Sequence, residues 1–249
     1  MRKLLIILGV PIDDLNMAQA LERLESFILT GRATGRSHQI ATINADFVVN
    51  SLHDPELRRI LQESDMATAD GMPLVLGARL LGVQLADRVT GADLVPALAE
   101  RSAQQGYSLF LLGARPGVGA RAAEILQERF PGLRIAGVIS PPNLPIEQMD
   151  ASILDQIKAA RPDILLVAFG NPKQEKWIAA HREPLGVPVQ IGVGGTFDVL
   201  SGNTRRAPLL FQKARLEWLW RVLANPRKIN KVLMLPRFVR LVLQSQKTV

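Results

Sequence analysis

The chain has no cysteine, which removes disulfide frameworks, thiolate metal sites and cysteine nucleophiles together. Its histidines are His38, His53 and His181, too few and too scattered for an imidazole-rich metal centre. No apolar stretch approaches the roughly 20 residues that a spanning helix needs, so any membrane contact is expected to be peripheral. Neither a G-x-S-x-G elbow nor a P-loop occurs, and a serine-hydrolase or Walker-type site lacks local support. What is present, over 249 residues, is 47% hydrophobic and 21% charged, the composition of an ordinary globular protein large enough for a full core.

Charge is distributed unevenly. From residue 200 onward there are eleven basic residues against Glu217 alone, a balance of +10, whereas the preceding 199 residues carry a balance of −3. A basic C-terminal block suits phosphate-bearing partners such as a nucleic acid, an anionic membrane surface or a pyrophosphate, although a solvated helical face has the same composition. Met1-Arg2-Lys3 and the apolar Leu4–Val10 imitate a signal peptide, but Pro11, Asp13 and Asp14 follow without a small-residue cleavage site. The segment is read as a first buried strand, and the protein is expected to stay in the cytoplasm.

Short apolar runs recur at Leu4–Val10, Gln39–Asn44, Ser108–Gly113, Arg134–Ile139, Ile164–Gly170 and Val189–Gly194, with a shorter strand at Met66–Gly71. Bounded by Gly, Asn or Asp and separated by helical periodicity, they read as buried parallel strands of a Rossmann-like α/β sheet flanked by helices. Asn16–Thr30 and Gly117–Phe130 carry helical spacing, and Asp54-Pro55-Glu56 opens a helix with a side-chain cap and proline at its first position. Beyond Arg205 only helices are expected, broken at Asn225-Pro226 and Pro236. The organisation is therefore an α/β catalytic domain over residues 1–204 and a basic helical, membrane-facing appendage over 205–249.

Ligands of open parallel sheets bind at the carboxyl ends of strands, so the polar residues that end each run are the first candidates. Gly113-Ala114-Arg115-Pro116-Gly117-Val118-Gly119 is a Gly-rich turn opening a helix whose free amides can hold phosphate; its G-x-x-x-G-x-G spacing departs from the dinucleotide fingerprint. Gly170-Asn171-Pro172-Lys173-Gln174-Glu175 and Gly192-Val193-Gly194-Gly195-Thr196-Phe197-Asp198 place small and hydrogen-bonding residues where a nucleotide sugar can lie against backbone; each alone also fits a capped strand-to-helix loop. Asp70 beside Gly71 suits a general base within reach of an acceptor hydroxyl, though Asp-Gly is commonly a plain turn.

Taken together and in this order, these segments resemble the WecG/TagA/CpsF family of bacterial glycosyltransferases over almost the whole chain. The resemblance rests on Thr42-Ile43-Asn44-Ala45, Ala69-Asp70-Gly71-Met72, Arg88-Val89-Thr90-Gly91-Ala92-Asp93, Phe169 to Trp177, Gly192 to Asp198, Arg206-Ala207-Pro208 and Leu216 to Arg221. It implies transfer of a sugar of the N-acetylmannosamine, derived uronic acid or glucuronic acid class from a UDP-sugar to a polyprenyl-diphosphate-linked saccharide. The acceptor would be met at the inner membrane face, in cell-surface polysaccharide synthesis. By motif, Asp70 is the base, with Thr42 and Asn44 at the reacting centre. The donor falls to Gly113, Gly117, Asn171, Gln174, Glu175, Gly192, Gly194 and Asp198. Arg88, Arg215, Arg221, Arg227, Lys228 and Lys231 face the acceptor diphosphate or the membrane.

No Asp-x-Asp pair occurs, and the expectation is inverting transfer with no metal and no cofactor, helix N-terminal amides and arginines stabilising the departing UDP. A basic nucleic-acid-binding protein remains an alternative, weighed against by Trp218, Trp220, Leu216, Leu219 and Leu223 in the tail; so does a Rossmann-type oxidoreductase. The expected partners include no nucleic acid, and a homo-oligomer is left open.

Overall fold

The computed structural model describes residues 3–142, 144–149, 151–204, 208, 211, 220 and 229–245, with side chains of the last segment from residue 235. Leu4–Val10 is not one strand. It forms β1 (Leu4–Ile7) and the start of β2 (Val10–Asp13), an antiparallel hairpin separate from the main sheet. Ile7 pairs with Val10, leaving Leu8-Gly9 as a two-residue loop with φ of 52° and 85°, the left-handed pair that matches the twist of a hairpin. Asp13 ties this hairpin down: one carboxylate oxygen meets Arg23 at 2.6 Å and the other accepts from the Ala67 amide at 2.8 Å.

The chain continues through α1 (Met17–Thr34), β3 (His38–Ile43), α2 (Ala45–Ser51), α3 (Pro55–Glu63), β4 (Met66–Ala69), α4 (Met72–Leu80) and α5 (Gly91–Gln105). There follow β5 (Ser108–Gly113), α6 (Val118–Arg129), β6 (Arg134–Ile139), α7 (Ser152–Ala160), β7 (Ile164–Ala168), α8 (Lys173–Leu185), β8 (Val189–Gly192), α9 (Thr196–Leu200) and α10 (Ile229–Ser245). The helix starts are written in the sequence. Asn16 accepts from the Gln19 amide while Gln19 returns the bond to Asn16, and Asp54 accepts from Leu57 ahead of Pro55.

Six strands form one sheet in the order β4-β3-β8-β7-β5-β6, every neighbouring pair parallel. Alternation along the strands splits the core. Ile40, Leu109, Leu111, Leu166 and Ile191 pack with α1, α5 and α6, while Phe110, Leu112, Leu165 and Val167 pack with α7 and α8. Ala41, Ile43, Ala67 and Ala69 on that second face cover α2 to α4 and the hairpin. β6 is the exception to the expected burial: as an edge strand it is only half-buried.

The C-terminal segment also departs from the reading of a separate, proline-broken appendage. α10 runs continuously through Pro236, and Phe238 and Val242 are fully buried among the residues of α2 and α4. A Cβ on Gly77 would lie 2.8 Å from the Phe238 ring, so the absence of a side chain at residue 77 lets the ring seat. Burial of two such side chains contributes about 1.5–3 kcal/mol each, comparable with the roughly 3 kcal/mol that an interior proline costs. These two residues face the core and are not part of an apolar surface offered to a membrane.

Candidate active site

Because every strand of the main sheet runs the same way, the strand-end segments singled out in the first 204 positions come to one edge. Asp70 follows β4, Asn44 follows β3, Gly194 follows β8, Gly170-Asn171 follow β7, the Gly113–Gly117 turn follows β5 and Ser140 follows β6. The helices leaving this edge diverge: α6, after β5, packs on one face and α8, after the neighbouring β7, on the other. Such a switch opens a crevice between the strand ends, the usual ligand position in an open α/β sheet.

The β3–β4 end of the crevice holds Asp70, the candidate base, with Thr42, Asn44 and Arg88. Asp70 is half-buried, and its amide donates to the Ile43 carbonyl at 2.6 Å, placing it alongside the end of β3. Val89 donates to the Ala69 carbonyl at 3.0 Å, so the Arg88-Val89-Thr90 segment returns to the same corner as Asp70. Thr90 caps α5 through the Asp93 amide, and Gly91 lets that helix start close in: a Cβ there would lie 2.9 Å from Thr196 Oγ1. Asn44 caps α2 by accepting from Phe47 at 3.2 Å. Thr42 is 4% exposed and its hydroxyl donates to the Gly192 carbonyl at 2.8 Å, a link between β3 and β8 beneath the crevice.

The middle is organised by the first turn of α8. Gln174 is 1% exposed; its Oε1 accepts from the amides of Gly170 at 3.1 Å and Gly194 at 2.9 Å, and its Nε2 donates to Glu175 Oε1 at 2.7 Å. Gln174 thus joins the loops after β7 and β8. Glu175, also 1% exposed, lies under Gly192, where a Cβ would collide with its carboxyl, so its side chain does not line the open edge. Burial pushes its carboxyl up to about 8, against the opposing effects of the Gln174 hydrogen bond and its own backbone. The sequence reading gives both as donor-binding residues of a strand-to-helix loop; the signal for their burial is that 174, 175 and 178 share the inward face of a helix beginning at Lys173.

At the β5–β6 end, Gly117 (φ 80°) turns the chain into α6, and Ser140 donates to the Gly113 carbonyl at 3.1 Å. Arg115 and Asp198 pair at 3.0 Å across the loops after β5 and β8, a contact that spacing alone did not reveal. Asn171 Oδ1 is buried with no hydrogen-bond partner among the described residues. Lys173 donates to the Leu144 carbonyl and lies 5.3 Å from the centre of the Phe169 ring, and burial lowers its pKa. Arg215, Arg221, Arg227 and Lys228 lie outside the described residues, as does the side chain of Lys231.

A family model described as the glycosyl transferase WecG/TagA/CpsF family matches residues 5–249. The chain belongs to that family. Its enzyme class is accordingly glycosyltransferase. Similar proteins include an N-acetylglucosaminyldiphosphoundecaprenol N-acetyl-beta-D-mannosaminyltransferase of Bacillus spizizenii, 33% identical over 208 residues, covering 84% of this chain and 79% of the relative. A protein of the same name from Staphylococcus aureus is 29% identical over 243 residues, covering 98% of this chain and 93% of its own length. Among the described residues of this family member, no helix is long and apolar enough to cross a membrane.

Proposed function

We propose that the protein transfers a sugar, with N-acetylmannosamine the first to test, from its UDP derivative to a saccharide carried on a polyprenyl diphosphate. The observation that carries this reading is the placement of Asp70 on the same sheet edge as the three loops of Gly113–Gly117, Gly170–Glu175 and Gly192–Asp198. The printed names of the relatives, which combine an N-acetylmannosaminyl group with an N-acetylglucosaminyl-diphosphate lipid, support the substrate class.

In this reading the donor diphosphate accepts from amides of the first turn of α6, which have no partner within the helix, and is favoured there by the helix dipole. The acceptor hydroxyl approaches from the β3–β4 corner. Asp70 takes its proton as the oxygen bonds to the anomeric carbon; the bond from that carbon to the diphosphate oxygen breaks, and UDP leaves with the electron pair from the opposite face, inverting the centre. Asn44 and Arg88 flank this corner. The tail cations Arg215, Arg221, Arg227, Lys228 and Lys231 meet the acceptor diphosphate and anionic headgroups at the inner membrane face, at about 1 kcal/mol per cation near the surface.

The experiment is a screen of UDP-sugars for UDP release with a lipid-diphosphate N-acetylglucosamine acceptor, run with and without EDTA. Acceptor-dependent release that survives the chelator is expected. Release only on adding a divalent cation contradicts transfer without a metal, and no release from any UDP-sugar contradicts the donor class.

A further inference from the structure

Beneath the donor loops lies a set of buried polar side chains that the transfer step does not use. Gln39 of β3 and Gln190 of β8 are register partners on the face covered by α8. Gln39 Nε2 donates to the Glu175 carbonyl at 3.1 Å, and Gln190 Nε2 donates to the Arg182 carbonyl at 3.1 Å. Gln190 Oε1 and Glu175 Oε2 are both buried without a hydrogen-bond partner among the described residues. Gln190 and Gly192 are two apart on β8 and so share the face against which Glu175 packs.

We propose that Glu175 is a positioning residue for the donor loops: its Oε1 fixes the Gln174 amide in the one orientation that lets Gln174 Oε1 hold the Gly170 and Gly194 amides together. A glutamine amide can turn over, exchanging its oxygen and nitrogen. Turned over, Gln174 would direct an N–H donor at two backbone N–H donors, losing both of those bonds. Glu175 Oε1 accepts from the Gln174 Nε2 that this orientation turns inward, adding a third bond to the two made by the backbone amides. With its carboxyl held up to about 8 by burial, it is mainly protonated at pH 7, and a proton on the buried Oε2 leaves Oε1 to accept from Gln174. The inference rests on the donor reading in supposing that UDP meets these two loops.

The test compares Glu175→Met, which keeps length but removes the acceptor, with Glu175→Gln, which keeps an acceptor oxygen and places N–H donors where the acid carries its proton. Two readouts are taken, UDP affinity by calorimetry and amide exchange at Gly170 and Gly194 by NMR. Glu175→Met is expected to bind UDP about fivefold more weakly, the equivalent of one lost hydrogen bond, and to exchange both amides about tenfold faster. Glu175→Gln should restore both to near the parental values. Gln174→Met, which removes the shared acceptor itself, should lose at least as much, and the Gln174→Met/Glu175→Met double variant should match Gln174→Met, because Glu175 acts through Gln174. If Glu175→Met does not fold, Glu175→Asp, whose carboxyl is drawn back by one methylene, is read in the same way. Parental amide protection in Glu175→Met, or equal losses in Glu175→Gln, overturns the inference. A parent that fails to bind UDP overturns the donor reading instead, and the amide exchange still decides the role of Glu175.

Discussion

Replacing Glu175 with glutamine keeps the shape and the acceptor oxygen of the side chain but removes its ability to ionise, and the consequence for stability can be worked from its surroundings. The carboxyl ordinarily titrates near 4.5 and is pushed up to about 8 in the folded protein, chiefly by burial. Between those values the folded chain holds a proton that the unfolded chain has released. The stability this group contributes is therefore complete below about 4.5 and is lost as pH rises towards 8, at about 1.4 kcal/mol per pH unit. Glutamine does not titrate. The stability of Glu175→Gln relative to the parent should thus climb by on the order of 4 kcal/mol between about pH 5 and about pH 8, whatever constant offset the new amide introduces. Urea unfolding of both proteins across that range, with unchanged m-values, measures the difference while cancelling the other titrating groups. A difference that stays flat with pH would refute a buried, neutral Glu175.

Two further substitutions probe the packing that positions the site. Phe238→Ala empties a fully buried ring seat above Gly77 and should cost about 3–5 kcal/mol in chemical denaturation; a loss under about 1 kcal/mol means that α10 is not seated on α2 and α4. Gly192→Ala places a methyl group 2.6 Å from Gln174 Nε2 and against the Glu175 carboxyl, and should destabilise the protein by about 1–3 kcal/mol; parental stability contradicts the observed closeness of α8 to β8.

The parallel sheet was legible because its strands are apolar on both faces and end in Gly, Asn or Asp, and Asp54-Pro55 and Asn16 announced their helices by capping chemistry. The hairpin was not. Leu8 adopts φ 52° without being Gly or Asn, so only Gly9 marks the turn and the apolar run looks unbroken. Pro236 looked like a break because propensity weighs the missing amide but not the burial of Phe238 and Val242, which depends on Gly77 some 160 positions earlier. At the site, the strand-end residues could be read because topology alone brings them to one edge. The roles of Gln174 and Glu175 could not, since they depend on which loops meet across β7 and β8 and on Gly192 leaving room beneath them. The Arg115–Asp198 pair was hidden for the same reason, as it joins residues 83 positions apart.

The most direct test of the proposed chemistry is the turnover of Asp70→Asn beside the parent, with UDP-N-acetylmannosamine and a lipid-diphosphate N-acetylglucosamine acceptor, after both proteins are shown to be folded and to bind UDP alike. The substitution keeps size and one acceptor oxygen but removes the base. Turnover should fall by roughly 10²–10⁴-fold with UDP affinity unchanged. Near-parental turnover in Asp70→Asn would place the base elsewhere and contradict the assignment of the β3–β4 corner as the point where the acceptor loses its proton.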